Sequence, residues 1–82
     1  MKLVIIDWID SGTDFAGWQT VEQAATLHPS ECQTVGFVLA DDEYKITLSM
    51  SHNVQTVCGL FTIPKSCITN TRVLKDTPDE IK

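Results

Sequence analysis

The residue types that most often carry out catalysis or bind metals are few in this chain of 82 residues. His28 and His52 are the two histidines, the three cysteines have no CxxC spacing, and neither a glycine-rich phosphate loop nor an HExxH pattern occurs. Cys58 and His52 could act as nucleophile and base if residues 54–56 formed a bend, but no third, orienting group is evident. We therefore predict that the chain is not an enzyme and has no catalytic residue, no metal site and no cofactor.

The cysteines are odd in number, and each lies in or beside an apolar segment: Cys32, Cys58 and Cys67. An odd number argues against a disulfide framework and fits a reducing compartment. We expect the three to be free, buried thiols, since cysteine is among the most buried residue types.

Acidic residues cluster twice, at Asp7 with Asp10 and again in the run Asp41, Asp42, Glu43 before Tyr44. Adjacent acids on a tight hairpin usually form a solvated turn. The sharper interpretation makes this run with Tyr44 an acidic knuckle that mimics nucleic-acid phosphate or docks on a basic host surface. Eleven acids in 82 residues are few for a whole-surface DNA mimic, so ordinary protein binding ranks higher.

The two tryptophans are the strongest candidates for binding energy, because tryptophan is enriched among interface hot spots. Trp8 lies in a predicted strand, where a core role is expected. Trp18 follows Gly17 where a loop meets a helix, and the sequence does not decide whether its ring is buried or exposed. We expect Phe15 and Trp18 to anchor this loop; if the Trp18 ring is exposed, it is the best single hot-spot candidate.

A nucleotide site is the alternative kind of binding site. Lys65 and Arg72 lie in the more basic carboxy-terminal section, and Trp18 or Phe15 could stack on a base. Adjacent subunits of a homo-oligomer could complete such a pocket. The net charge of −5 disfavours general nucleic-acid binding, which needs clustered lysine and arginine.

Alternating apolar residues predict the elements that position these side chains, and the length allows one domain with a modest core. Five strands are predicted, at residues 2–10, 32–40, 44–51, 57–63 and 68–74. Between the first two strands, Thr20 and Gln23 form a capping box that begins a helix over residues 21–27, which should lie on the rest of the fold. A turn at 41–43, a short turn or 3₁₀ turn at 65–67 and a flexible polar tail at 75–82 complete the chain, so the domain covers residues 1–74.

The alternation also predicts which side chains share a face of the sheet. The first strand is apolar on both faces, with Val4, Ile6 and Trp8 together on one of them, which favours a central or well-covered strand. In the later strands, one face of the second is predicted to carry Val35, Phe37 and Leu39, and one face of the fourth Phe61 and Ile63. In the third strand, the side chains predicted to point inward are Tyr44, Ile46, Leu48 and Met50.

The order of these elements favours a mostly β fold, a small five-stranded SH3-like or Sm-like barrel with one short helix between strands 1 and 2. Closure of a barrel removes exposed edges that would otherwise recruit other chains. The rival is an α+β fold in which the helix covers one face of an antiparallel sheet.

Several short motifs, spread over residues 4–74, resemble a group of small proteins of unknown role encoded by tailed bacteriophages. They are Asp7-Trp-Ile-Asp10, Gly17-Trp18, Cys32-Gln-Thr-Val-Gly-Phe-Val38, Ile63-Pro-Lys-Ser-Cys-Ile68 and Arg72-Val-Leu74. The resemblance brings no assigned site residues, but it implies a small accessory protein made inside an infected bacterium.

That context leads to the functional prediction. Many phage accessory proteins act stoichiometrically on host machinery or host defence, so we expect an inhibitor that binds a bacterial host protein, a defence component. The alternative is an oligomer that sequesters an immune signalling nucleotide. No apolar stretch approaches the roughly 20 residues that span a bilayer, and the start does not fit a signal peptide, so we expect the host cytoplasm and no membrane partner.

Overall fold

The computed structural model describes residues 1–15 and 17–77. Its elements in chain order are β1 (Lys2–Asp10), α1 (Val21–Ala24), β2 (Ser30–Asp41), β3 (Lys45–His52), β4 (Val57–Pro64), a 3₁₀ turn (Lys65–Cys67) and β5 (Ile68–Asp76). The predicted mostly β chain with five strands, one short helix and a turn at residues 65–67 is confirmed. β5 runs two residues beyond its predicted end, and residues 78–82 of the predicted tail lie outside the described residues.

The five strands form one antiparallel sheet in the order β4-β3-β2-β1-β5. From β1 to β4, each strand pairs with the next one along the chain. The 3₁₀ turn then leads to β5, which pairs with β1. Pro64 ends β4 as predicted, because it lacks an amide donor and its φ is fixed. This is the strand order of the predicted SH3-like plan, with the sheet left open between β4 and β5 within the described residues.

A contact between aromatic rings shows that the sheet curls. The ring centroids of Trp8 on β1 and Phe61 on β4 lie 5.5 Å apart. Three strand spacings separate β1 from β4 along the sheet, which would place them about 14 Å apart if the sheet were flat. The two strands must therefore bend toward each other and enclose the face of the sheet between them.

The enclosed face holds the core. Its buried apolar side chains are Val4, Ile6, Ile46, Leu48 and Ile63, with Trp8, Val38 and Ile68 partly buried against them. The indole nitrogen of Trp8 donates a hydrogen bond of 2.9 Å to Thr34 Oγ1, so this polar atom is satisfied where the ring is partly buried. The expected core role of Trp8, and the shared face of Val4, Ile6 and Trp8, are confirmed.

β2 turns toward the core the face opposite to the one on which its apolar residues alternate. Val4 pairs with Gly36 and Ile5 with Val35, so Gly36 lies on the core face and Val35 on the other, where it is 49% exposed. A Cβ at Gly36 would lie 3.0 Å from Leu48 Cβ, so a glycine suits this close approach of β2 and β3. The sequence could not show this, because a strand that is apolar on both faces does not reveal which face is covered.

The prediction for β3 is right in the middle of the strand and wrong at both ends. Ile46 and Leu48 are buried, whereas Tyr44 and Met50 are each 75% exposed. Tyr44 lies in the turn before the strand. Met50 packs against Gly59, which has no side chain to cover it.

The three cysteines are free thiols, as predicted, but they are not all buried. Cys58 is exposed, and Cys32 and Cys67 are half-buried. The compact core is small and lies elsewhere, so none of the three contributes a buried side chain to it.

The smallness of this core makes stability sensitive to a single methylene group. We predict that Ile63→Val lowers the free energy of unfolding by about 1 kcal/mol, which for a domain of this size lowers the melting midpoint by about 4–8 °C. Thermal melts followed by circular dichroism measure the change. The control is Val54→Ala, because Val54 is 56% exposed in the β3–β4 loop; equal losses in both variants would contradict the assigned core.

Candidate functional site

The most prominent feature outside the sheet is the connection from β1 to β2, residues 11–29, which we call the arm. Asp10 and Ser30 pair across its base. A Cβ at Gly12 would lie 2.1 Å from the carbonyl oxygen of His28, so only glycine lets the two limbs of the arm approach this closely. The arm is thus held at its base and leads away from the sheet.

Local hydrogen bonds give the arm its shape. Thr20 Oγ1 accepts a hydrogen bond of 3.1 Å from the Gln23 amide, and Gln23 Oε1 accepts one of 3.2 Å from the Thr20 amide. The predicted capping box is therefore confirmed. Gln19 Nε2 also donates to Asp14 Oδ2 at 2.9 Å, and Gly17 has a φ of 115°, a value that side chains rarely tolerate.

The arm exposes its apolar side chains. Phe15 is 94% exposed, Trp18 fully and Val21 86%, and about half of Leu27 is open to solvent. The prediction that Phe15 and Trp18 anchor the loop is wrong, and so is the prediction that the helix lies on the sheet. From its base, where Gly12 and His28 lie close together, the arm leads away from the core. The helix has four residues, and none of them is buried.

This exposure answers two questions that the sequence left open. Trp18 is an exposed ring, and the rival fold with the helix covering the sheet is wrong, since α1 contributes no buried side chain. The exposure of Val21 and Leu27 was not predicted from the sequence, because the apolar side of the helix was expected to pack on the rest of the fold. A shallow hollow of about 240 Å³ beside the ring is lined by Asp14, Gly17, Trp18, Gln19, Ala24 and Leu27.

The predicted acidic knuckle is a hydrogen-bonded turn. Asp42 Oδ1 accepts from the amides of Tyr44 at 2.8 Å and Lys45 at 2.9 Å. These two hydrogen bonds hold the pKa of the Asp42 carboxyl below its ordinary value of 3.8. Asp41 pairs with Lys65 at 2.5 Å. Two of the three acids thus have structural partners, and Glu43 and Tyr44 are exposed beside them.

The residues of the alternative nucleotide site are not brought together. Lys65 pairs with Asp41 at the β2–β3 turn, and Arg72 lies on β5 opposite Ile5. The hollow beside Trp18 has no lysine or arginine among the described residues that line it. Within one chain, the stacking ring and the cations therefore belong to separate parts of the surface.

Cys58 and His52, the imagined nucleophile and base, occupy consecutive positions of the β3–β4 ladder. Ser51 pairs with Cys58 and His52 with Val57. Both residues line a hollow of about 120 Å³ beside the β3–β4 loop. The His52 ring packs edge-on against Phe37, with ring centroids 4.5 Å apart.

Comparison with known proteins adds no identity. The chain matches no protein-family model, and no curated protein or solved structure is significantly similar to it. The phage resemblance stays a prediction. Within residues 1–15 and 17–77, no helix is long and apolar enough to cross a membrane.

The role of Asp42 in the turn predicts a pH dependence. Because its folded pKa lies below its ordinary value, ionised Asp42 stabilises the fold above that ordinary value, and this contribution is lost as the pH falls through the folded pKa. Asp42→Asn keeps a side-chain oxygen acceptor and removes the charge. We predict that the wild-type melting midpoint exceeds that of Asp42→Asn at about pH 5 and that the difference shrinks toward about pH 2. A difference independent of pH would contradict the assigned role, and Glu43→Gln, at an exposed neighbour, is the control.

Proposed function

We propose that the chain is a protein-binding module whose arm grips a bacterial host protein, and that as a phage accessory protein it inhibits a defence component in this way. The observation that carries the proposal is the fully exposed ring of Trp18 on an arm whose other apolar side chains, Phe15, Val21 and Leu27, are also exposed. Burial of such rings in a partner supplies a large share of the free energy of association at many protein interfaces.

The order of the arm supports a binding role. A disordered segment loses conformational freedom when it binds, which weakens association. Here the close approach at Gly12 and the capping box at Thr20 shape the arm before any partner arrives. The exposed rings are thus presented on a partly preorganised surface.

The charge of the arm defines the chemistry of its partner. Among residues 11–29 there are two acids, Asp14 and Glu22, and no lysine or arginine. A complementary partner therefore presents an apolar groove with a basic rim, because opposite charges at the rim speed encounter and exclude acidic surfaces. The same acidity, and the lack of a lysine or arginine among the described residues that line the hollow beside Trp18, favour a protein over an anionic nucleotide.

The first test is capture of host proteins by the tagged chain expressed in its bacterial host. We predict that Trp18→Ala lowers recovery of the captured protein by at least about thirtyfold in affinity, the loss typical of a hot-spot tryptophan. Its melting midpoint, measured at about 1 µM so that association contributes little, should stay unchanged because the ring contacts no core residue. Native mass spectrometry of the captured material identifies the partner as a protein or a small molecule.

The matched control is Trp8→Phe, since Trp8 is the other tryptophan and packs against the core. This variant loses the hydrogen bond to Thr34 and should lower the melting midpoint while captured protein is retained. Capture that is equally strong with Trp18→Ala would overturn the proposed role of the arm, and a bound nucleotide would overturn the protein partner.

A further inference from the structure

The face of the sheet opposite the core, which we call the outer face, also carries apolar side chains that are partly exposed. Cross-strand pairing places residues in rows on this face. One row consists of Lys75, Leu3, Phe37, Ser49 and Leu60, and the next of Arg72, Ile5 and Val35. Val35 is 49% and Leu60 62% exposed, Leu3, Ile5 and Phe37 are half-buried, and Ser49 is buried.

The charges of these two rows are the opposite of those on the arm. Arg72 and Lys75 lie at the β5 ends of the rows, and the rows contain no acid. The arm contains the acids Asp14 and Glu22 among its exposed apolar residues and has no lysine or arginine. One chain therefore carries both an acidic apolar arm and an apolar surface with a basic edge. The second of these has the chemistry of the partner surface that the arm is proposed to bind.

The arm does not cover the outer face of its own chain. It leaves β1 at Asp10, whereas the two rows cross β1 at Leu3 and Ile5, so the nearer row is about 17 Å away along the strand. Phe15 and Trp18 are almost entirely exposed. About half of the surface of Val35 and more than half of that of Leu60 are exposed too. Contact between the two surfaces thus requires a second copy.

The exposed area is large enough for such an assembly. The chain exposes 6423 Å², about 1,500 Å² more than the roughly 4,900 Å² expected of a compact monomer of this mass. The radius of gyration, 16.9 Å, likewise exceeds the roughly 12 Å expected for a compact chain of this length. A standard interface removes about 800 Å² from each partner.

We infer that, when no target is bound, the arm of one copy docks on the outer face of a second copy through the two rows led by Lys75 and Arg72. The inference rests on the proposed binding role of the arm and adds its regulation, because self-association and target binding then compete for Trp18. The outer face resembles the target's groove in chemistry: it is apolar, with a cationic edge.

Analytical ultracentrifugation of the full chain at about 100 µM, well above a micromolar dissociation constant, tests the assembly. The wild type should sediment as at least two copies of 9.1 kDa. Trp18→Ala, which impairs the arm, and Val35→Glu, which impairs the outer face, should each weaken association by at least about thirtyfold. Arg72→Glu should weaken it less and reduce its dependence on salt.

Mixing the two impaired variants gives the decisive result. Trp18→Ala retains the outer face and Val35→Glu retains the arm, so an equimolar mixture should form heterodimers that neither variant forms alone. Val54→Glu, an exposed change in the β3–β4 loop, is the control and should sediment as the wild type does. Melting midpoints at about 1 µM establish that each variant is folded. A monomeric wild type, or a mixture that stays monomeric beside an associated wild type, would overturn the inference.

The same variants separate this inference from the proposed function. Val35→Glu keeps an intact arm, so it should capture the host protein at least as well as the wild type, because the competing outer face is lost. Capture with no self-association of the wild type would overturn the inference and leave the proposed function standing. Self-association with no captured host protein, even by Val35→Glu, would overturn the proposed function instead.

Discussion

The structure depends on the curl that brings β1 and β4 together around a handful of aliphatic side chains. Trp8 and Phe61 meet across the open side of the sheet, and Ile6 and Ile63 lie beneath them with no exposed surface. Without this curl the five strands would form a flat layer whose apolar faces both met water. Burial of one face is the main source of stability available to a chain this short.

The buried apolar side chains all lie on one face of the sheet, and this limit explains which apolar side chains stay exposed. A curled single layer has an inside that its own side chains can fill and an outside that they cannot reach. Leu60 and Val35 remain partly exposed for this geometric reason, and the apolar side chains of the arm, which lies outside the sheet, are exposed as well. Exposed apolar surface of this extent is typical of chains that complete their packing with another molecule.

Features that depend on local chemistry could be predicted from the sequence. The capping box at Thr20, the turn around Asp42 and the end of β4 at Pro64 all depend on residues within a few positions of one another. Which face of a two-sided apolar strand is covered depends on pairing between distant segments, and a shift of one residue exchanges the faces. This is why the alternation of β2 could not show that Val35 lies outside the core, whereas the clean alternation of β3 placed Ile46 inside it.

The candidate site divides in the same way. Trp18 could be singled out by residue type, but its exposure depends on the close approach of Gly12 to His28, a contact across the whole arm that no periodicity reveals. The charges of the two surfaces, by contrast, can be read directly: residues 3–44 contain no lysine or arginine, and the cations of β5 come later in the chain. The antiparallel sheet places Lys75 and Arg72 of β5 opposite Leu3 and Ile5, whereas β1 leads into the acidic arm at Asp10, so these two cations are separated from the acids of the arm. Separation of this kind disfavours contact within the chain and favours contact between chains or with a basic target.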